Sequence, residues 1–257
     1  MLGTVAWRRF SREARARFLE LSTKSEAKPH VPSAETSETI KELTDEVPPP
    51  RPANKPISKG SSAVLIPLVS RADHGDSVLF TKRSLLLKDH RGEICFPGGR
   101  VENDESLEEA ATRELEEEIG IRASLIDIWG QMHSVPTRQN GRPVTPIVGE
   151  IREDHLSSIK PNHDEVDSVF TVPIDELVRS TEYTVFSHNK VLYTMPIFRV
   201  RKYAVLAKTQ DSRLVEGREV RVWGLTSVML HFFLLHMFPG QYSNRLAPAN
   251  FFRVRRL

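Results

Sequence analysis

The chain has 257 residues, 39% of them hydrophobic and 27% charged. That is enough apolar material for one globular core with tails, and too much for a wholly disordered chain. Lysine and arginine (36) nearly balance aspartate and glutamate (34), and a net charge of +2 makes no case for a nucleic-acid-binding protein. The single cysteine, Cys95, excludes an internal disulfide and a cysteine-ligated metal.

In chain order, residues 1–21 come first. Arg8, Arg9, Arg12, Arg15 and Arg17 outnumber Glu13 and Glu20, and Trp7, Phe10, Ala14 and Phe18 recur at helical spacing. A basic amphipathic helix at this position resembles a mitochondrial presequence; the alternative is a cytoplasmic protein with a surface helix. Residues 22–60 are rich in Ser, Thr, Glu, Lys and Pro, with Pro48, Pro49 and Pro50 at the centre. This composition cannot bury a core and predicts a disordered linker.

A folded domain is predicted over 61–245. Residues 63–69 (AVLIPLV) form a short apolar run suited to a buried strand, and residues 78–81 predict a second strand after a turn at His74, Gly75 and Asp76. A basic loop follows, with Lys82, Arg83, Lys88, His90 and Arg91, and it ends at the turn signal Pro97, Gly98, Gly99.

Next comes the most informative segment. Ser106 and Glu109 have capping-box spacing; Leu107, Ala111, Leu115 and Ile119 form an apolar stripe; Gly120 is placed to end a helix. On that helix Glu114, Glu117 and Glu118 lie at i, i+3 and i+4 and share a face. A solvated acidic face would sit opposite the stripe, but Glu114 and Glu118 fall at its edge. Glu116, Glu117 and Glu118 also crowd the helix C-terminus, where the macrodipole disfavours negative charge. Both features point to a bound cation. Hard oxygen ligands select Mg²⁺ or Mn²⁺.

Further on, residues 125–129 and 145–151 predict strands, with a loop over the sheet from Pro136 to Pro143. Residues 161–177 contain Asp164, Glu165 and Asp167 ahead of a Val-Pro strand, then a short helix at Asp175 to Leu177. Residues 193–200 predict another strand. The seventeen residues 222–238 are mostly apolar, but His231, His236 and Thr226 interrupt them. A membrane span needs about 20 apolar residues, so this segment predicts a buried helix closing one face of the sheet. Residues 246–257 form a basic tail with Arg253, Arg255 and Arg256.

The helix and its approach resemble the Nudix box. Gly99, Glu105, Arg113, Glu114, Leu115, Glu117, Glu118, Gly120 and Ile121 fill every defined position of that motif. The preceding segment is similar to the signature of the coenzyme A diphosphatase branch, most closely its animal mitochondrial members. Leu79, Phe80, Thr81, Arg83, Ser84, Gly92, Phe96, Pro97, Gly98 and Gly99 match, and Lys88 stands where the pattern has an arginine. The resemblance implies an α/β fold, a Nudix-type α/β/α sandwich with a mixed β-sheet. It implies Glu114, Glu117, Glu118 and the Gly99 carbonyl as metal ligands, and Glu105 with Arg113 as a structural pair supported by Gly98, Gly99 and Gly120. It implies Arg83, Lys88 and Ser84 as substrate-binding residues. Catalysis falls to Glu114 and Glu117 with Glu165, the last as an extra ligand or as the base that activates water. The implied reaction is hydrolysis of the pyrophosphate of coenzyme A or acyl-coenzyme A with Mg²⁺ or Mn²⁺. Alternatives are hydrolysis of ADP-ribose, NADH or another nucleoside diphosphate derivative, and a non-catalytic nucleotide-binding module. The expected partner is a small molecule, with no nucleic acid and no membrane span; oligomeric state is open.

Overall fold

A computed structural model describes residues 12–23, 60–102, 104–137, 141–188 and 191–242. Residues 24–59 of the linker expected over 22–60, the C-terminal tail and the tip of the 136–143 loop lie outside these residues, as do residues 1–11.

Helix α1 spans Arg12–Thr23, and strands β1 (Ser62–Arg71) and β2 (Gly75–Arg83) form an antiparallel hairpin. Two short strands, β3 (Ile94–Cys95) and β4 (Gly98–Arg100), lead into helix α2 (Leu107–Ile119). Strands β5 (Ile126–Gln131), β6 (Val135–Pro136), β7 (Pro143–Ile151) and β8 (Val166–Pro173) follow, then helix α3 (Ile174–Arg179). Strands β9 (Thr181–His188), β10 (Val191–Val200), β11 (Ala204–Lys208) and β12 (Val220–Val222) precede helix α4 (Gly224–Met237).

The principal sheet has the order β11-β8-β2-β1-β7-β5, with β3 on β2, β4 on β1 and β6 on β7. Only β1 and β7 run parallel; every other pair is antiparallel, so the sheet is mixed. A three-stranded sheet, β12-β10-β9, stands apart.

Strand alternation divides the interior into two layers. Ala63, Leu65 and Val69 of β1 pack with Ala111, Leu115 and Ile119 of α2. Ile66 and Leu68 point the other way, into a cluster with Phe80, Phe170, Leu230 and Phe233. Helix α2 therefore covers one face, and α4 with the second sheet covers the other. This is the expected α/β/α sandwich, and α4 is the buried helix expected from residues 222–238. No helix among the described residues is long and apolar enough to cross a membrane.

Helix α1 packs against the domain expected over 61–245. Phe18 of α1 is fully buried and belongs to the same cluster as Trp129 and Phe233. Arg15 adds a two-pronged ion pair to Asp127 of β5, at 2.5 and 2.9 Å. Helical periodicity at the N-terminus predicts an amphipathic helix but cannot say what its apolar face meets. In the structure it meets the edge of the sheet, so residues 12–23 are part of the fold.

Candidate active site

The site is built where β2, the 97–99 turn and α2 converge. Helix α2 is capped as its sequence dictates: Glu109 N–H donates to Ser106 Oγ at 3.1 Å, and Ser106 N–H donates to Glu109 Oε2 at 2.7 Å. Gly120 ends it in the left-handed conformation, φ 79°. Burial of the Ala111, Leu115 and Ile119 stripe against β1 sets the helix rotation, and that rotation carries Glu118 inward.

Two glycines bring the turn close. At Gly98 (φ 151°) a Cβ would come 2.4 Å from the carbonyl oxygen of Ala63, so only glycine lets β4 lie against β1 here. At Gly99 a Cβ would come 2.3 Å from Glu114 Oε1. The backbone of Gly99 and the Glu114 carboxylate are therefore in direct apposition.

Arg113 organises the outer side of the helix. Its Nη2 and Nε grip Glu105 Oε1 and Oε2 at 2.8 and 3.1 Å, and Nη2 also donates to the carbonyl of Arg100 at 3.0 Å. Glu105 in turn accepts from Glu102 N–H at 2.7 Å. The pair thus ties α2 to the loop that precedes it. Its partners hold the Glu105 carboxyl below the usual range, the Arg113 hydrogen bond foremost.

The three helix carboxylates sit in different environments. Glu118 is only 4% exposed, whereas the Glu117 side chain is 56% exposed. Burial pushes the Glu118 carboxyl up to about 8; the Gly98 N–H and Arg83 oppose that rise, and Glu114 and Glu165 add to it. Burial also raises Glu114, with Arg113 opposing and Glu117 and Glu165 adding. Arg113 Nη1 lies 3.2 Å from Glu114 Oε1 and 3.1 Å from Glu117 Oε2. Among the described residues no three acidic, His or Cys side chains converge into a ready cage. Of the expected ligand trio, Glu114 and Glu117 share the Arg113 Nη1 donor, while Glu118 is buried. Glu118 Oε2 is buried with no hydrogen-bond partner. An orphaned buried carboxylate oxygen, flanked by two further carboxylates, fits a hard divalent cation.

Glu165 reaches this place through the backbone. Lys160 N–H donates to the carbonyl of Ile119, and Asn162 N–H to that of Glu118, both at 2.9 Å. These bonds fold the chain after β7 onto the end of α2. Ser84 N–H then donates to the carbonyl of Glu165 at 2.8 Å. Glu165 is exposed and its charge is felt by both Glu114 and Glu118.

The expected basic cluster divides. Arg83 faces Glu118 and Cys95, and its Nε is buried with no hydrogen-bond partner. Lys82 points away from it and pairs with Asp167 at 3.0 Å. Period-two alternation already forbids adjacent strand residues from sharing a face, and that signal could have separated Lys82 from Arg83 in the sequence. Lys88 and Arg91 are exposed, and His90 pairs with Glu93 at 2.9 Å. Ser84 is buried, and its Oγ accepts from Leu86 N–H at 3.3 Å, so its hydroxyl shapes the loop. Burial pushes the Cys95 thiol up to about 11, which leaves it protonated near neutral pH and unsuited to nucleophilic attack.

The fold and this acidic helix place the chain in a class of α/β/α hydrolases. The NUDIX domain family matches residues 60–194, more than half of the chain, and the protein belongs to the Nudix hydrolase family. It is 43% identical to Nudix hydrolase 3 of Caenorhabditis elegans over 198 residues, covering 77% of this chain and 81% of that protein. It is 33% identical to the human mitochondrial coenzyme A diphosphatase NUDT8 over 192 residues, covering 73% of each. Among solved structures, the Nudix hydrolase RenU of M. smegmatis is 19% identical and covers 46% of this chain and 73% of its own, with a TM-score of 0.40.

Proposed function

We propose that this Nudix hydrolase cuts the pyrophosphate of coenzyme A, and of acyl-coenzyme A, to give adenosine 3′,5′-bisphosphate and 4′-phosphopantetheine or its acyl form. The observation that carries the reading is Arg83. A guanidinium with a buried, unpartnered Nε stands beside the acidic helix, within the segment that resembles the coenzyme A diphosphatase signature. The similarity to NUDT8 supports the same substrate.

In this reading Mg²⁺ or Mn²⁺ would be held by Glu114, Glu117, Glu118 and the Gly99 carbonyl. The bound ion would supply Lewis acidity toward the phosphate oxygens. Arg83 would offer charged donors to the same anion, in a setting where burial strengthens them. Glu165, or a carboxylate of α2, would take the proton of the attacking water. Water oxygen would bond to one phosphorus while the bridging P–O bond breaks, and the other phosphate would leave with that oxygen. Glu105 and Arg113 would hold the loop against the helix without touching substrate. Lys88 is exposed and would reach the substrate only as a mobile point charge.

Similarity to the mitochondrial enzyme NUDT8 and the basic residues of the N-terminal segment support a mitochondrial site. Cell fractionation tests it, and a purely cytosolic signal would reject it.

The substrate test is purified protein with Mg²⁺ or Mn²⁺ against coenzyme A, acetyl-coenzyme A, ADP-ribose and NADH in parallel, with products resolved by chromatography. Preferred cleavage of coenzyme A or its acyl form is expected. Faster turnover of ADP-ribose or NADH would overturn the substrate assignment while leaving the chemistry. Equal inertness of wild type and Glu117→Gln on all four would favour a module that binds without turning over.

A further inference from the structure

Strands β2 and β8 fall out of step at one point. Lys82 is opposite Ser168, yet the next residue of β2, Arg83, is opposite Val166. Asp167 is thus an extra residue in β8, a β-bulge, and bulges re-aim the side chains on either side of them.

The bulge is locked by a buried network. Asp167 is 6% exposed. Its Oδ2 accepts from Lys82 Nζ at 3.0 Å, Ser168 Oγ at 3.1 Å and Ser212 Oγ at 2.6 Å. Its Oδ1 accepts from Thr209 Oγ1 at 3.3 Å, and its carbonyl from Thr209 N–H at 2.9 Å. Such a carboxylate, together with a largely buried lysine, is a costly thing to build into a sheet unless its geometry matters.

Its neighbours show what it controls. Immediately beyond the bulge stand Arg83 on β2 and Glu165 leading into β8, joined by the bond from Ser84 N–H to the Glu165 carbonyl. Both residues lie near the end of the acidic helix: Asn162 N–H donates to the Glu118 carbonyl just ahead of Glu165, and the charges of Arg83 and Glu165 each act on Glu118. Without the extra residue, Asp167 would oppose Arg83 and Val166 would oppose Ser84. A slip of one residue moves a strand by about 3.3 Å and turns its side chains to the other face. Glu165 would then leave the site.

We propose that Lys82 and Asp167 are a positioning pair, whose buried contact holds the β8 bulge and so aims Arg83 and Glu165 at the α2 carboxylates. The proposal rests on the active-site reading given above, but its test does not depend on the substrate assignment.

The test compares wild type with Lys82→Met, Asp167→Asn and the double variant. Each single variant leaves a buried partner uncompensated, and a lower melting temperature is expected. The double variant removes both charges and keeps the volume; the asparagine oxygen accepts from one of the Ser212 and Thr209 hydroxyls and its NH2 donates to the other, so a near-native melting temperature is expected. In the double variant, amide exchange at Ser84 should quicken roughly tenfold or more while Leu79 and Phe80 on the same strand stay protected. Unchanged exchange at Ser84 would overturn the proposal whether or not the chain is active. With whichever pyrophosphate the wild type cleaves, kcat should fall about 30-fold or more, and Glu165→Gln should cost far less in the double variant than in wild type. Full additivity of Glu165→Gln alongside unaltered exchange would show the pair to be structural only. If Glu165→Gln has no effect in wild type, the reading of Glu165 fails, and the exchange result at Ser84 still decides the pair.

Discussion

Phe18 of α1 meets Trp129 of β5 with ring centroids 6.3 Å apart and planes inclined at 56°. Gly130 follows Trp129, and a Cβ there would lie 3.3 Å from Phe18 Cε1. The strand is therefore shaped to receive this ring. Truncating a fully buried phenylalanine to alanine costs about 3–5 kcal/mol. Phe18→Ala should lower stability by about that amount in a urea titration of the full chain. The Arg15–Asp127 pair is partly exposed, and Arg15→Ala should cost only about 0.5 kcal/mol. A chain trimmed past Phe18 would lose the same contact, so the mature N-terminus should precede Phe18. Intact mass of protein recovered from cells checks that, and a stable mature form beginning after Phe18 would refute it.

Gly98 and Gly99 should fail differently when changed to alanine. At Gly98 the new Cβ meets backbone of β1, and the residue has φ 151°. That conformation alone costs on the order of 1–3 kcal/mol in a residue with a side chain, so Gly98→Ala should chiefly lower the melting temperature. At Gly99 the Cβ meets the Glu114 carboxylate, the end of a side chain that can move. Gly99→Ala should fold nearly normally and lose turnover. Thermal melts and steady-state kinetics on the two variants separate the cases.

The Glu118 carboxyl has a folded-state pKa of about 8 against an ordinary 4.5, with burial as the leading cause. A carboxyl raised in this way keeps its proton in the folded chain after the unfolded chain has lost its own. Its contribution to stability is full below pH 4.5 and is lost as pH rises toward 8. With chelator present, the wild type should lose melting temperature across that window more steeply than Glu118→Gln. Mn²⁺ should raise the wild-type melting temperature more at high pH than at low, because the cation competes with the proton. Equal pH slopes for the two proteins would show that Glu118 does not titrate in this way.

Arg83 and Lys88 are both cations of the same segment, but Arg83 is half-buried near the acidic helix with its Nε fully enclosed, whereas Lys88 is exposed. Arg83→Ala should reduce kcat/KM by about a hundredfold, in line with the loss of one charged donor from a water-poor site. Lys88→Ala should cost less than tenfold, and added salt should diminish even that, as for an exposed charge. Comparable losses from both variants would place Lys88 in the site as firmly as Arg83.

Local pattern was enough for α2. Its cap at Ser106, its stripe through Leu115 and its stop at Gly120 are all fixed by interactions within one helix and the strand beneath it. The same holds for β1 and α4, whose apolar character predicts burial. The second sheet was only partly legible: β10 shows in its apolar residues, whereas β9 and β12 carry no strong period and depend on pairing with it. Asp164, Glu165 and Asp167 look interchangeable in sequence. The fold separates them, leaving Asp164 exposed, bringing Glu165 close enough for its charge to act on Glu118, and burying Asp167 with Lys82.

The sequence by itself determined the family, the order of the main elements and the helix that carries the acids, because those depend on spacing along the chain. Tertiary structure alone decided which carboxylate is buried, which cation stands over it, where the β8 bulge falls and that α1 belongs to the core. Each of these is set by residues far apart in the chain, through strand register and burial, and no local spacing encodes such partners.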